Sequence, residues 1–265
     1  MKKWVNVILW IMLSIGVITV LFFSNQQEKN LKINKPQISI HIAGENSFLT
    51  ESEILYRLKF KKLLFDGQTN ENFDIKKIEE EIATMSEVKN VNSYRNIGTQ
   101  WFLKVELRNP IARIFNSHGQ SYYLNDDGFM MKPSSSHSAR LLIFSGHIDD
   151  KFSSKSIDQI INNDSLKSIK KIDDIYRISS YVCKEALLSK LIGQVYLEKN
   201  GDFILIPIVG DQKIVFGSAN SDQEVIDKFN RLIVFYKEAM PYEGWDKYDQ
   251  ISVKYEGQIV CTKRR

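Results

Sequence analysis

Trp101-Phe102-Leu103-Lys104-Val105-Glu106-Leu107-Arg108 is the stretch on which the fold turns. Leu103, Val105 and Leu107 alternate with Lys104, Glu106 and Arg108, the period of two that marks a strand with one buried face. Upstream, residues 88–94 read as a second strand to pair with it. Before that, Asp74 is placed to cap a helix that sets Ile75, Ile78, Ile82 and Met85 on one face. Thr50-Glu51-Ser52-Glu53 is a capping box. The Thr50 hydroxyl accepts from the Glu53 amide, the Glu53 carboxylate reaches back, and Leu49 with Ile54 forms the hydrophobic staple, predicting a helix over residues 51–60. Residues 37–42 put Ile38, Ile40 and Ile42 on one side of a further strand. The order is strand, helix, helix, strand, strand. One sheet covered by two helices over residues 37–112 is a complete small α+β domain.

Further toward the N-terminus, residues 4–23 carry no charge, and Asn6, Ser14 and Thr19 are the polar interruptions. At 1.5 Å per residue the run reaches about 30 Å, the thickness of a bilayer's hydrocarbon core. Trp4 and Trp10 lie toward one end, and Phe22 and Phe23 lie at the other. Phe22-Phe23-Ser24-Asn25-Gln26 has no small-x-small cleavage pattern, so an uncleaved anchor is expected rather than a signal peptide. Lys2, Lys3 and the amino terminus on one side nearly balance Lys29, Lys32 and Lys35, less Glu28, on the other, so flanking charge leaves the orientation a tie. Residues 1–3 are then a short tail, and the polar, lysine-rich residues 24–36 a tether.

The bulk numbers agree. The chain has 265 residues, 43% hydrophobic and 26% charged, which excludes wholesale disorder. A single long apolar run excludes a polytopic membrane protein. A net charge of +4, from 36 basic and 32 acidic residues, is too slight to point to nucleic acid.

Residues 113–265 read as β-rich with a flanking helix. Residues 121–124 and 129–131 flank the turn Asn125-Asp126-Asp127-Gly128, and the serine-rich residues 132–138 read as a loop. Residues 149–178 mix acids and bases and show helical spacing at Leu166, Ile169, Ile172 and Ile175. Residues 194–197 and 203–209 are joined through Asn200-Gly201, a strong hairpin signal. Phe203-Ile204-Leu205-Ile206 is apolar on both faces, which predicts a central strand. After a strand at residues 213–216, Ser221 and Glu224 form a second capping box before Val225, Phe229, Leu232 and Tyr236, a helix that Pro241 is expected to close. Residues 251–255 and 258–262 make a last hairpin about Glu256-Gly257.

Catalytic motifs fail. The sequence has no glycine-rich phosphate loop, zincin histidine pair or Gly-x-Ser-x-Gly elbow. Ser86-x-x-Lys89 and Ser168-x-x-Lys171 match an acyl-serine tetrapeptide, but the partner Lys-Thr-Gly element is missing. His147-Ile148-Asp149-Asp150 reads as a solvated acidic turn rather than a cation site, and no metal or other cofactor is implied. Cys183 and Cys261 are expected as buried free thiols, with a disulfide the alternative. The chemistry points to recognition, not catalysis.

In this layout the chain resembles the bacterial cell-division family FtsQ/DivIB. Val105-Glu106-Leu107-Arg108-Asn109-Pro110-Ile111-Ala112 resembles the strand that ends the family's POTRA domain. Tyr123-Leu124-Asn125-Asp126-Asp127-Gly128-Phe129 resembles the hairpin that follows, and Gly193-Gln194-Val195-Tyr196 and Ile251-Ser252-Val253-Lys254-Tyr255 resemble later strands. Residues 149–178 have no counterpart in this likeness, and the tail is shorter than in many members. The resemblance implies a cytoplasmic tail at 1–3, an anchor at 4–23, a linker at 24–36, a POTRA domain at 37–112 and a C-terminal β-domain at 113–265.

The resemblance further implies a non-enzymatic divisome scaffold at the septum of the bacterial inner membrane. Its bulk would be periplasmic, and it would bind FtsB- and FtsL-type single-span proteins, linking early components to septal peptidoglycan synthesis. The partner would add to an exposed edge in the C-terminal strand region, with Lys254 and Tyr255 at the hairpin and Gln258, Ile259 and Val260 on the last strand; such an edge is a template for strand addition. Two other classes are a POTRA-containing envelope assembly or secretion component and a membrane-tethered peptidoglycan enzyme. The first would need a downstream barrel of many alternating strands of about ten residues, which residues 113–265 do not supply.

Overall fold

The computed structural model describes residues 2–42, 47–96, 99–134, 137–153, 157 and 171–264. Leu166, Ile169 and Ser168 lie outside these residues. The chain divides into two compact units, Met1–His41 with Leu49–Leu107, and Ile42–Phe48 with Arg108–Arg265.

The first unit begins with helix α1, Lys2–Asn30, of 29 residues. One helix here is long and apolar enough to cross a membrane. Two of its polar side chains are satisfied within it: Ser14 Oγ donates to the Trp10 carbonyl at 2.9 Å and Thr19 Oγ1 to that of Ile15 at 2.7 Å. The helix does not stop at Phe23. Ser24 to Asn30 continue it, because glutamine, glutamate and lysine are good helix formers and extending an existing helix is easy. The expected tether is therefore partly helical.

After α1 come strand β1 (Gln37–His41), helices α2 (Glu51–Phe60) and α3 (Ile75–Ala83), and strands β2 (Val88–Arg95) and β3 (Trp101–Leu107). The sheet order is β1-β3-β2, with β1 parallel and β2 antiparallel to β3. Both parts of the first capping box form: the Thr50 amide donates to Glu53 Oε2 at 2.8 Å and the Glu53 amide to Thr50 Oγ1 at 3.3 Å. Asp74 caps α3 by accepting from the Lys77 amide at 3.1 Å, and that bond lowers its carboxyl pKa. Leu49, Ile54, Leu58, Ile78, Ile82, Trp101, Leu103 and Val105 form the core of this unit.

The second unit is a nine-stranded mixed sheet. Its strands are β4 (Pro110–Phe115), β5 (Ser121–Asn125), β6 (Met130–Met131), β7 (Leu142–Gly146), β8 (Ile192–Leu197), β9 (Phe203–Pro207), β10 (Lys213–Gly217), β11 (Tyr248–Ser252) and β12 (Val260–Lys263), in the spatial order β12-β11-β10-β9-β8-β7-β4-β5-β6. Helices α4 (Ile172–Lys184), α5 (Ala186–Leu191) and α6 (Asp222–Val234) contribute Ile175, Ile178, Leu188, Phe229 and Leu232 to one core with Ile114, Phe144, Val195, Leu205 and Ile214 of the strands. β9 is central, as its apolar run predicts, although Ile206 on its outer face is exposed rather than enclosed.

Several expectations are corrected. The division between units falls after Leu107, not Ala112, because β4 pairs with β5 and β7 in the large sheet. Pro110, which lacks a donor, breaks the chain between β3 and β4. The second capping box is half formed. The Glu224 amide donates to Ser221 Oγ at 3.2 Å, but the Glu224 carboxylate accepts from the Asn220 amide at 2.9 Å and from Lys228. Pro241 does not close the helix. A π-helical turn, Phe235–Ala239, leads into α7 (Met240–Glu243), which contains Pro241 and ends at Gly244. The Met240 amide bonds the Phe235 carbonyl five residues back. That wider turn makes room for the proline ring. Cys183 and Cys261 are free, but Cys183 is exposed and Cys261 half-buried.

Candidate partner-binding edge

β12 is the terminal strand of the large sheet, and among the described residues no strand lies on its outer side. It pairs antiparallel with β11 in the register Ser252↔Val260, Ile251↔Cys261, Gln250↔Thr262. The pleat then sorts its side chains. Cys261, with Ile259 just before the strand, packs toward the core beneath α6, while Val260 is 45% exposed and Thr262 is exposed. Burial pushes the Cys261 thiol pKa up.

Of the five residues expected at this site, one lies on the edge strand. Val260 opens β12; Lys254, Tyr255, Gln258 and Ile259 fall in the connection between β11 and β12. The reason is local. The Val253 amide donates to the Val215 carbonyl of β10 at 3.0 Å. Arg231 of α6 donates from Nη2 to the carbonyls of Val253 at 3.1 Å and Tyr255 at 3.3 Å. These bonds pull the chain off the β11–β12 ladder, and Gly257, at φ +69°, turns it back.

The connection is itself anchored. Lys254 Nζ lies 2.6 Å from Asp202 Oδ2, a bond that raises the lysine pKa. The stem of Lys254 crosses Gly217, where a Cβ would sit 2.8 Å from Lys254 Cγ. Tyr255 is 52% exposed. Gln258 and Ile259 face Val234, Phe235 and Ala239 across a shallow, mostly apolar groove of about 430 Å³. The sequence reading missed Arg231, Val234, Phe235 and Thr262. Arg231 sits on a helix with no local hint that it takes carbonyls 22 and 24 residues away.

The arrangement offers main-chain donors and acceptors along β12, an exposed aromatic beside it, and a groove able to take an apolar side chain. Among the described residues no group of three His, Cys, Asp or Glu is placed to hold a metal. Asp150, in the acidic turn, instead accepts the Lys171 amide at 2.9 Å ahead of α4.

Comparison with curated proteins returns no match. The sequence model of a family described as FtsQ/DivIB, C-terminal related, matches residues 109–262, which covers β4 through most of β12 and runs through residues 149–178. With more than half of its length matched, and with an N-terminal apolar helix ahead of a β-rich region, the chain belongs to the FtsQ/DivIB family of cell-division proteins.

Proposed function

We propose that the protein is a membrane-anchored, non-enzymatic scaffold of the divisome, with its N-terminus cytoplasmic and its two units periplasmic at the septum. Its outer strand receives a segment of an FtsB- or FtsL-type single-span partner and so links early components to septal peptidoglycan synthesis. The open outer side of β12 is the observation that carries this reading. An unpaired edge strand supplies the ladder of bonds that an extended peptide needs, and neighbouring pockets read alternate side chains. Tyr255, Val260 and Thr262 lie where such a strand's outward side chains pass, while Gln258 and Ile259 line the groove on the helix side. Lys254 holds the connection in place through Asp202. The test is capture of the FtsB–FtsL pair by the soluble chain from Asn25 and by the same chain ending at Glu256. Loss of capture by the shorter chain, with a cooperative thermal transition retained, is expected; equal capture by both overturns the edge-strand reading.

A further inference from the structure

The first unit carries a second surface, at the end where α1 meets it. The helix continues seven residues past Phe23 to Asn30, about 10 Å along its axis. A headgroup layer is about 5–8 Å thick, so Asn30 emerges close to its outer limit. There the backbone is bonded into the domain. Asn70 Nδ2 donates to the Glu28 carbonyl at 2.9 Å, the Asn70 amide to that of Leu31 at 3.0 Å, and the Ile33 amide to that of Gln68 at 2.8 Å. Trp101 Nε1 donates to the Asn34 carbonyl at 2.9 Å, and Arg95 reaches Asn70. The segment 65–72, the start of β3 and the end of β2 therefore lie at the anchor end, and the start of β2 lies away from it.

That end is apolar and basic. Phe60 is 71% exposed and Phe65 is 48% exposed, and the Phe65 amide bonds the Gln68 side chain at 3.3 Å, which ties it to the bonded segment. Lys32 bridges to Thr69 and Arg95 bonds Asn70 at this end, with Lys29 and Lys35 beside them in the chain, against Glu28 and Glu71; Lys61 and Lys62 are exposed where α2 ends, and Asp66 is taken by Lys59 at 3.6 Å. Lys61 also lies 3.8 Å from Glu81, and the next charges up, Asp74 and Lys77, pair with each other. Lys62 is the one non-glycine residue with positive φ, +57°, among the described residues. It occupies the left-handed position of the turn that ends α2, where its amide bonds the Lys59 carbonyl at 3.0 Å and the Leu63 amide that of Leu58 at 2.9 Å. Glycine usually fills this position. Here the chain places an exposed cation.

We propose that this end of the first unit docks on the bilayer from which α1 emerges. Phe60 and Phe65 enter the headgroup boundary, and the surrounding lysines meet the phosphates of anionic lipid. Aromatic rings favour that boundary, and basic residues near an anionic surface each add to the attachment. The inference rests on the reading of α1 as a membrane span. It makes the unit a body lying on the membrane rather than a domain held off on a tether.

The test uses the full chain with Cys183→Ser and Cys261→Ser, labelled with one fluorophore at Ile18→Cys, Phe65→Cys or Asn90→Cys. It is reconstituted in phosphatidylcholine vesicles with or without about one third phosphatidylglycerol, and quenched by nitroxides at the lipid headgroup and along the chain. Asn90 lies five residues back along β2 from Arg95, about 17 Å from the anchor end. Strong quenching at positions 18 and 65, at least about threefold above position 90, is expected. The signal at 65 should fall without phosphatidylglycerol. It should also fall in Lys62→Gly, a change that relieves the positive φ and so raises the thermal midpoint. Equal, weak quenching at 65 and 90 beside strong quenching at 18 overturns the docking and leaves the span standing. Weak quenching at 18 overturns both. Quenching at 65 that ignores lipid charge overturns the role of the lysines.

Discussion

Lys228 is a charge inside the second unit, 4% exposed, with Nζ 2.5 Å from Glu224 Oε1, 2.8 Å from the Ser218 carbonyl and 5.2 Å above the Phe216 ring. Burial alone would push the Glu224 carboxyl up; bonds from Lys228, Ser218 and the Asn220 amide outweigh it and hold the group below the usual carboxylate range. A carboxyl depressed in the folded state stabilises the fold above its unfolded pKa, about 4.5, and the contribution is lost as pH falls below that value. Glu224→Gln should therefore lower the thermal midpoint near neutrality. The gap from the parent should narrow as pH falls below about 4.5, as melts across the acid range would show. In the first unit, Ile78 and Ile82 are fully enclosed. Replacing either by alanine leaves a cavity and should cost about 2–5 kcal/mol in denaturant unfolding of a fragment ending at Asn109. A fragment without a cooperative transition would show instead that the unit does not stand alone.

At the scale of elements, β12 makes the sharpest prediction. In an antiparallel edge strand, successive residues point their amides alternately toward the neighbour and outward. Proline placed in turn at Val260, Cys261 and Thr262 should include at least one position that weakens partner capture about tenfold while moving the thermal midpoint little. Capture that survives all three in folded proteins would rule out main-chain pairing there. The elements read from sequence were those specified locally. Thr50 and Glu53 cap α2, Asp74 caps α3, and Asn200-Gly201 turns β8 into β9, where the Gly201 amide bonds the Glu198 carbonyl at 3.0 Å. What escaped was specified at a distance. β7 pairs in parallel with β4 and β8, partners remote in sequence, and a five-residue run carries no sign of them. The end of β11 is set by Arg231 and Val215, so Gln258 and Ile259, two of the three residues expected on the last strand, fall before β12 begins.

For the whole molecule, orientation is the first thing to measure. Phosphatase fused to the C-terminal end should be active in an export-dependent assay, and activity of a cytoplasm-only reporter there would reverse the topology. Flanking lysines divide too evenly to decide it, which is why composition was mute on this point. The unbroken passage of α1 into the bonds at Glu28, Leu31 and Ile33 has a mechanical meaning. A flexible linker would average away any motion of the anchor, whereas a stiff lever transmits it. Spanning helices tilt to match bilayer thickness, and their inclination averages about 20° from the normal. β2 spans eight residues, about 26 Å, so the same rotation would sweep its far end through about 9 Å. Local membrane thickness would thus be translated into the position of the first unit above the lipid.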